Sequence, residues 1–164
     1  MATVNNNLSE YTLSEAPKSR GKKVTLIVSK WNDVITTSLK EGAIETLKNL
    51  GVYARDIKVI EVPGCFELAF AAKQVITNQE VDAVICVGCV IKGETSHFDY
   101  VCQAATNGIQ ELNLQYDVPV IFCVLTDDNI EQSKSRSGGE LGNKGVEAAV
   151  TAAQMIKIKE DITK

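Results

Sequence analysis

His97 is the only histidine of the chain, and it closes the loop Lys92-Gly93-Glu94-Thr95-Ser96-His97 that follows an apolar run. An imidazole at a helix opening either trades protons near neutral pH or sits as a packed or solvated side chain. Thr95, Ser96 and the unpaired N–H groups of a helix starting there suit an anion, with phosphate the natural candidate. Trp31, the only tryptophan, follows another apolar run and precedes the polar Asn32. Its indole either stacks on a planar heterocycle or closes the sheet edge as an aromatic lid. Glu67 falls in the first turn of an apolar helix. There it either complements the helix dipole or accepts hydrogen bonds from ligand hydroxyls. Arg136, in a Gly-rich stretch, either clamps a phosphate through two parallel bonds or stays solvated. That stretch is not a Walker loop, since no Lys-Ser/Thr pair follows the required glycine spacing. Metal ligation is not expected, because no second histidine exists and no carboxylates are spaced as partners.

Cys86 and Cys89 spell C-x-x-C, one pair among five cysteines. Their surroundings (AVICVGCVI) read as a strand interior, where positions three apart point to opposite faces. A redox pair needs its first thiol at a helix start, and a zinc site needs two more ligands. The spacing therefore predicts buried, inert thiols, and Cys65, Cys102 and Cys123 take the same reading.

These residues need elements to position them. Residues 24–28 (VTLIV), 57–62, 83–91 and 118–125 read as strands. Between them, Asn32 offers a helix cap, Ile35, Leu39, Ala43, Leu47 and Leu50 form a stripe at helical spacing, and Gly51 ends it. Residues 66–76 are apolar on nearly every side, which calls for a helix buried in the core or against another subunit. Phe98, Val101, Ala105, Ile109 and Leu112 mark a third helix face. The tail holds a short polar helix at 129–134, a Gly-rich loop, and a last helix with Val146, Ala149, Val150, Ala153 and Ile156 on one stripe. Apolar strands alternating with helices predict an α/β three-layer, flavodoxin-like sandwich with a four-stranded parallel sheet plus an N-terminal edge strand. Residues 1–22 read as an N-terminal arm and 23–164 as one domain. Ligands bind beyond the carboxyl ends of such strands, the edge to which Trp31, Glu67 and His97 all map.

Composition narrows the function classes. A chain of 164 residues with 45% hydrophobic and 23% charged residues is long enough for one packed domain. The longest apolar run is too short for a membrane span, and no secretory signal opens the chain. A net charge of −4 without a long basic block gives nucleic-acid binding no electrostatic support. A cytoplasmic protein is expected.

Several segments then become recognisable in order: Trp31-Asn32 with Ile35-Thr36 and Leu39; Val62-Pro63-Gly64-Cys65-Phe66-Glu67-Leu68; the run from Gly88 through His97 to Val101; Val124-Leu125-Thr126; and Glu131-Gln132 through Arg136 to Gly142-Asn143-Lys144-Gly145. From Val24 onward the chain resembles the 6,7-dimethyl-8-ribityllumazine synthases of riboflavin biosynthesis. The resemblance implies condensation of 5-amino-6-(D-ribitylamino)uracil with 3,4-dihydroxy-2-butanone 4-phosphate, releasing phosphate and water, with no metal or organic cofactor. It implies Trp31 stacked on the pyrimidine, Glu67 with the backbone of Cys65 and Phe66 on the ribityl chain, and the backbone of Cys89, Val90 and Ile91 on the uracil edge. Glu94, Thr95 and Arg136 take the butanone phosphate positions, His97 the proton-transfer role, and Phe122 and Lys144 also line the site. Phe122 and Arg136 arrive from an adjacent subunit of a pentamer. Some family members assemble pentamers into a 60-mer shell, which the compact 138–145 segment favours here, with the N-terminal arm adding a strand to a neighbour. A riboflavin synthase partner is also implied.

Three positions depart from the family's pattern. Trp31 replaces a common Phe, which keeps the stack and could extend it to a flavin. Lys92 replaces the usual Arg. Glu94 stands where a small residue is usual, and its side chain is expected to point to solvent. Two rival readings are a flavin-binding electron carrier and a shell-forming protein without catalysis. A thioredoxin-like redox role requires reactive Cys86 and Cys89.

Overall fold

The computed structural model describes residues 16–163. Val24–Ser29 (β1), Ile57–Val62 (β2), Ala83–Ile91 (β3) and Val120–Asp127 (β4) form one sheet in the order β2-β1-β3-β4, with every pairing parallel. The two central strands, β1 and β3, are buried along nearly their whole length, which is why they read as continuous apolar runs. The edge strand β2 is largely exposed and carries Lys58 and Glu61 among its apolar residues.

Five α-helices flank the sheet among the described residues: Asp33–Asn49 (α1), Leu68–Asn78 (α2), His97–Gln115 (α3), Ile130–Arg136 (α4) and Lys144–Ile162 (α5). On one face, Ile35, Leu39, Ala43 and Leu47 of α1 and Ala149, Ala152 and Ile156 of α5 pack on Leu26, Val28, Ile85, Val87 and Cys89. On the other, Leu68, Ala72 and Val75 of α2 and Ile109 and Leu112 of α3 pack on Ile27, Val84 and Cys86. The period-2 alternation along β3 thus sends Cys86 and Cys89 to opposite layers. The expected parallel three-layer architecture is observed.

Helix α1 ends as a Schellman turn. Gly51 adopts φ +95°, its N–H donates to the carbonyl of Lys48, and the Val52 N–H reaches that of Leu47. Only a residue without a Cβ takes that conformation cheaply.

Four local expectations need correction. Asn32 precedes α1 but makes no side-chain cap; it sits in the left-handed region, φ 59° and ψ 49°, and its side chain bonds elsewhere. The short polar helix runs to Arg136 and is capped by Asn129, whose Oδ1 accepts from the N–H of Gln132 at 3.0 Å. The Gly-rich loop after it is a small antiparallel hairpin, Ser137–Gly139 (β5) with Gly142–Asn143 (β6), tied to α1 through Ser38 and the carbonyl of Ser137. Cys102 is half-buried, not buried, because the first turns of α3 overhang the sheet edge and burial begins at Ala105.

The expected N-terminal edge strand falls on residues 1–22, of which 1–15 lie outside the described residues. Residues 16–22 form no strand. Ala16 packs on Leu50, Val150 and Ala153, and the Ser19 N–H donates to the Leu50 carbonyl at 2.7 Å.

Candidate active site

The chain reverses its winding direction between β1 and β3, since α1 lies on one face of the sheet and α2 and α3 on the other. The loops leaving the carboxyl ends of these strands diverge there and open a crevice. A pocket of about 530 Å³ occupies it, walled by Trp31 after β1, the 63–67 turn after β2, and Cys89 through His97 after β3.

Each wall has a local cause. Beyond β1, the Trp31 N–H donates to Ser29 Oγ at 3.2 Å, and Asn32 Nδ2 donates to the carbonyl of Cys89 at 3.0 Å. Asparagine tolerates the left-handed backbone that this link requires. The indole is 72% exposed and borders the pocket.

Beyond β2, Pro63-Gly64 leads into a 3₁₀ turn, Cys65–Glu67, stacked before α2. This turn sits directly on β3, because position 88 is glycine: a Cβ there would lie 2.5 Å from Cys65 Sγ and 3.3 Å from Leu68 Cδ1. Burial pushes the Cys65 thiol up to about 11, against an opposing hydrogen bond with Ser29. The Glu67 carboxylate folds back over Gly64, whose Cβ position lies 3.2 Å from Glu67 Oε2. It makes no capping bond and faces the pocket half-buried. Phe66 lines the wall with 64% of its surface exposed.

Beyond β3, the Lys92 N–H donates to the Asp127 carbonyl at 3.0 Å, and Lys92 Nζ turns outward, 3.8 Å from Asp128. Thr95 Oγ1 accepts from the His97 N–H at 3.4 Å, and His97 opens α3 with its imidazole on the pocket wall. The loop thus presents the Thr95 hydroxyl and the N–H of Phe98 beside the imidazole, at a helix N-terminus suited to a phosphate. Glu94 is exposed and does not line the pocket.

Trp31, Cys65, Phe66, Glu67, Cys89, Val90, Ile91, Thr95 and His97 therefore meet in one place. Phe98 and Val101 line it too. Their spacing marks them as core, and Val101 does pack on that layer while both also border the crevice. Phe122, Arg136 and Lys144 are not part of this wall. Phe122 lies 42% exposed on the edge strand β4, Arg136 ends α4, and Lys144 starts α5 with its Nζ 2.8 Å from both carboxylate oxygens of Glu147.

A family profile described as 6,7-dimethyl-8-ribityllumazine synthase matches residues 21–160. A protein of that name from Flavobacterium johnsoniae is 53% identical over 160 residues, covering 98% of this chain and 84% of its own. Those from Parabacteroides distasonis and Phocaeicola vulgatus are 51% and 47% identical, covering 95% and 100% of this chain and 98% of their own lengths.

Proposed function

The chain belongs to the 6,7-dimethyl-8-ribityllumazine synthase family, and from that premise we propose how its pocket works. The protein is a transferase of riboflavin biosynthesis. It condenses 5-amino-6-(D-ribitylamino)uracil with 3,4-dihydroxy-2-butanone 4-phosphate to give 6,7-dimethyl-8-ribityllumazine, phosphate and water. In outline, the 5-amino group attacks the ketone and water leaves to give an imine. Phosphate is then eliminated, and the ribityl-bearing nitrogen closes the ring with loss of a second water. Most of what a catalyst must supply is proximity, worth about 7–11 kcal/mol when two reactants are held in line.

In this reading Trp31 stacks on the pyrimidine, and the backbone of Cys89, Val90 and Ile91 meets the uracil edge. Glu67, Cys65 and Phe66 hold the ribityl chain. Thr95 and the N-terminus of α3, where the Phe98 N–H is open, hold the phosphate, with Glu94 contributing through its backbone alone. His97 moves the protons that imine formation and phosphate loss require. The observation that carries the reading is that indole, carboxylate, imidazole and phosphate cradle all border one crevice at the reversal point of the sheet.

Phe122 and Arg136 complete the site from a neighbouring copy in this proposal, and Lys144 also lines it. The exposed side chains Phe66 (64%), Phe70 (68%), Tyr100 (68%) and Leu114 (78%) support a homo-oligomer, since such a surface is costly in water. They also explain why residues 66–76 read as apolar on every side: Leu68, Ala72 and Val75 face the core, and the phenylalanines face outward. We take the assembly to be a cytoplasmic pentamer that builds a 60-mer shell and hands its product to a riboflavin synthase. No helix among the described residues is long and apolar enough to cross a membrane.

The test mixes purified protein with both substrates and follows lumazine fluorescence and phosphate release together. Matched appearance of the two supports the assigned pocket. Bound flavin without turnover overturns it in favour of a flavin carrier.

A further inference from the structure

At the end of β4 lies a buried carboxylate that the scheme above does not use. Asp127 is 8% exposed. Its Oδ2 accepts from Ser133 Oγ at 2.8 Å, and its Oδ1 stands 4.0 Å from Nε of Arg136. Ser133 is fully buried, and its hydroxyl in turn accepts from the Cys89 thiol at 3.4 Å. Arg136 Nη1 donates to the carbonyl of Gln132 at 3.1 Å and to Ser135 Oγ at 3.4 Å.

A carboxylate withdrawn from water is stable only when hydrogen-bonded and paired with a cation. Ser133 supplies the bond and Arg136 the charge. The consequence for the arginine is geometric. A guanidinium is a planar fork with donors at Nε and at both terminal nitrogens. The Gln132 carbonyl and Ser135 Oγ anchor Nη1 by hydrogen bonds, the Asp127 carboxylate draws the Nε side by charge from 4.0 Å, and no hydrogen bond among the described residues engages Nη2. The outer edge of the fork is therefore the part left for a ligand, already oriented before it binds.

We propose that Asp127, held by Ser133, is a positioning residue that orients Arg136 for the butanone phosphate. The proposal rests on the reading of Arg136 as a phosphate clamp. The opposite sign is also physically defined. If Asp127 were merely a negative charge near an anion site, removing that charge would tighten phosphate binding.

Steady-state kinetics of the assembled enzyme separates the two. Asp127→Asn is expected to raise KM for the butanone phosphate about tenfold, the effect of losing one well-placed charged partner. Both kcat and KM for the aminouracil should stay within about twofold, a split that a general loss of structure would not give. Ser133→Ala should shift the same KM in the same direction by less, and serves if Asp127→Asn does not fold. Combining Asp127→Asn with Arg136→Ala should add nothing beyond Arg136→Ala alone. An unchanged or lowered butanone-phosphate KM in both Asp127→Asn and Ser133→Ala, while Arg136→Ala raises it, overturns the positioning role and leaves the clamp standing. An unchanged KM in Arg136→Ala overturns the clamp itself.

Discussion

Asn32 Nδ2 donates to the carbonyl of Cys89 across 3.0 Å, joining the loop after β1 to the end of β3 where the sheet reverses direction. Among the described residues, Asn32 is the only non-glycine residue with a positive φ. The bond fixes the distance between the indole wall of the pocket and the backbone proposed to read the uracil.

Asn32→Ala loses this bond and replaces asparagine, which tolerates the left-handed region, by a residue that does not, together about 2–3 kcal/mol. Asn32→Gly loses the bond alone and should cost about 1 kcal/mol. Urea unfolding of both variants measures the difference, and KM for the aminouracil should rise in each. Equal stabilities would show that the backbone conformation carries no strain.

Gly88→Ala places a methyl group where Cys65 Sγ would lie only 2.5 Å away and Leu68 Cδ1 3.3 Å away, beneath the buried side of the turn. The 3₁₀ turn must lift from the sheet, at about 1–3 kcal/mol, and Glu67 moves with it. The expected result is a lower unfolding midpoint together with weaker aminouracil binding. Gly88→Ala/Cys65→Ala should recover part of both.

The thiols give a pH prediction with a definite sign. Burial raises Cys65 to about 11 and Cys123 to about 12, and it raises Cys86 as well. An unfolded thiol titrates near ~8.5. Between those values the unfolded chain has lost protons that the folded chain keeps, so stability is intact below about pH 8.5 and falls as pH rises toward 11. Urea midpoints measured against pH should decline less steeply above pH 9 in Cys123→Ala than in the parent. At pH 8 a thiol reagent should label Cys102 in the native protein and the other four cysteines only after unfolding.

His97→Ala removes one proton-transfer group and leaves the binding walls in place. A loss of about 10- to 1,000-fold in kcat is expected, with measurable turnover remaining from proximity. An unchanged rate removes His97 from the mechanism.

The sequence alone determined the sheet. Apolar runs such as AVICVGCVI and the 3.6-residue stripe of α1 are local patterns whose period follows directly from backbone geometry, and the order of strands and helices leaves a parallel, doubly wound topology. It also carried Trp31, Glu67 and His97 to the same sheet edge, because each lies in a segment leaving the carboxyl end of a strand.

What it did not contain was anything set by contacts between distant segments. The same side chain that caps helices elsewhere serves Asn32 as a cross-link to β3, a choice made 57 residues away. Phe98 and Val101 carry core spacing, yet both line the crevice, Val101 while also packing on the core layer beneath. The sequence places Asp127 just after the fourth strand and Ser133 in the short polar helix, with no local pattern that pairs them. Only the closing of α4 over the end of β4 shuts them from water, and in that dry environment their bond to each other, and the pairing with Arg136, become decisive.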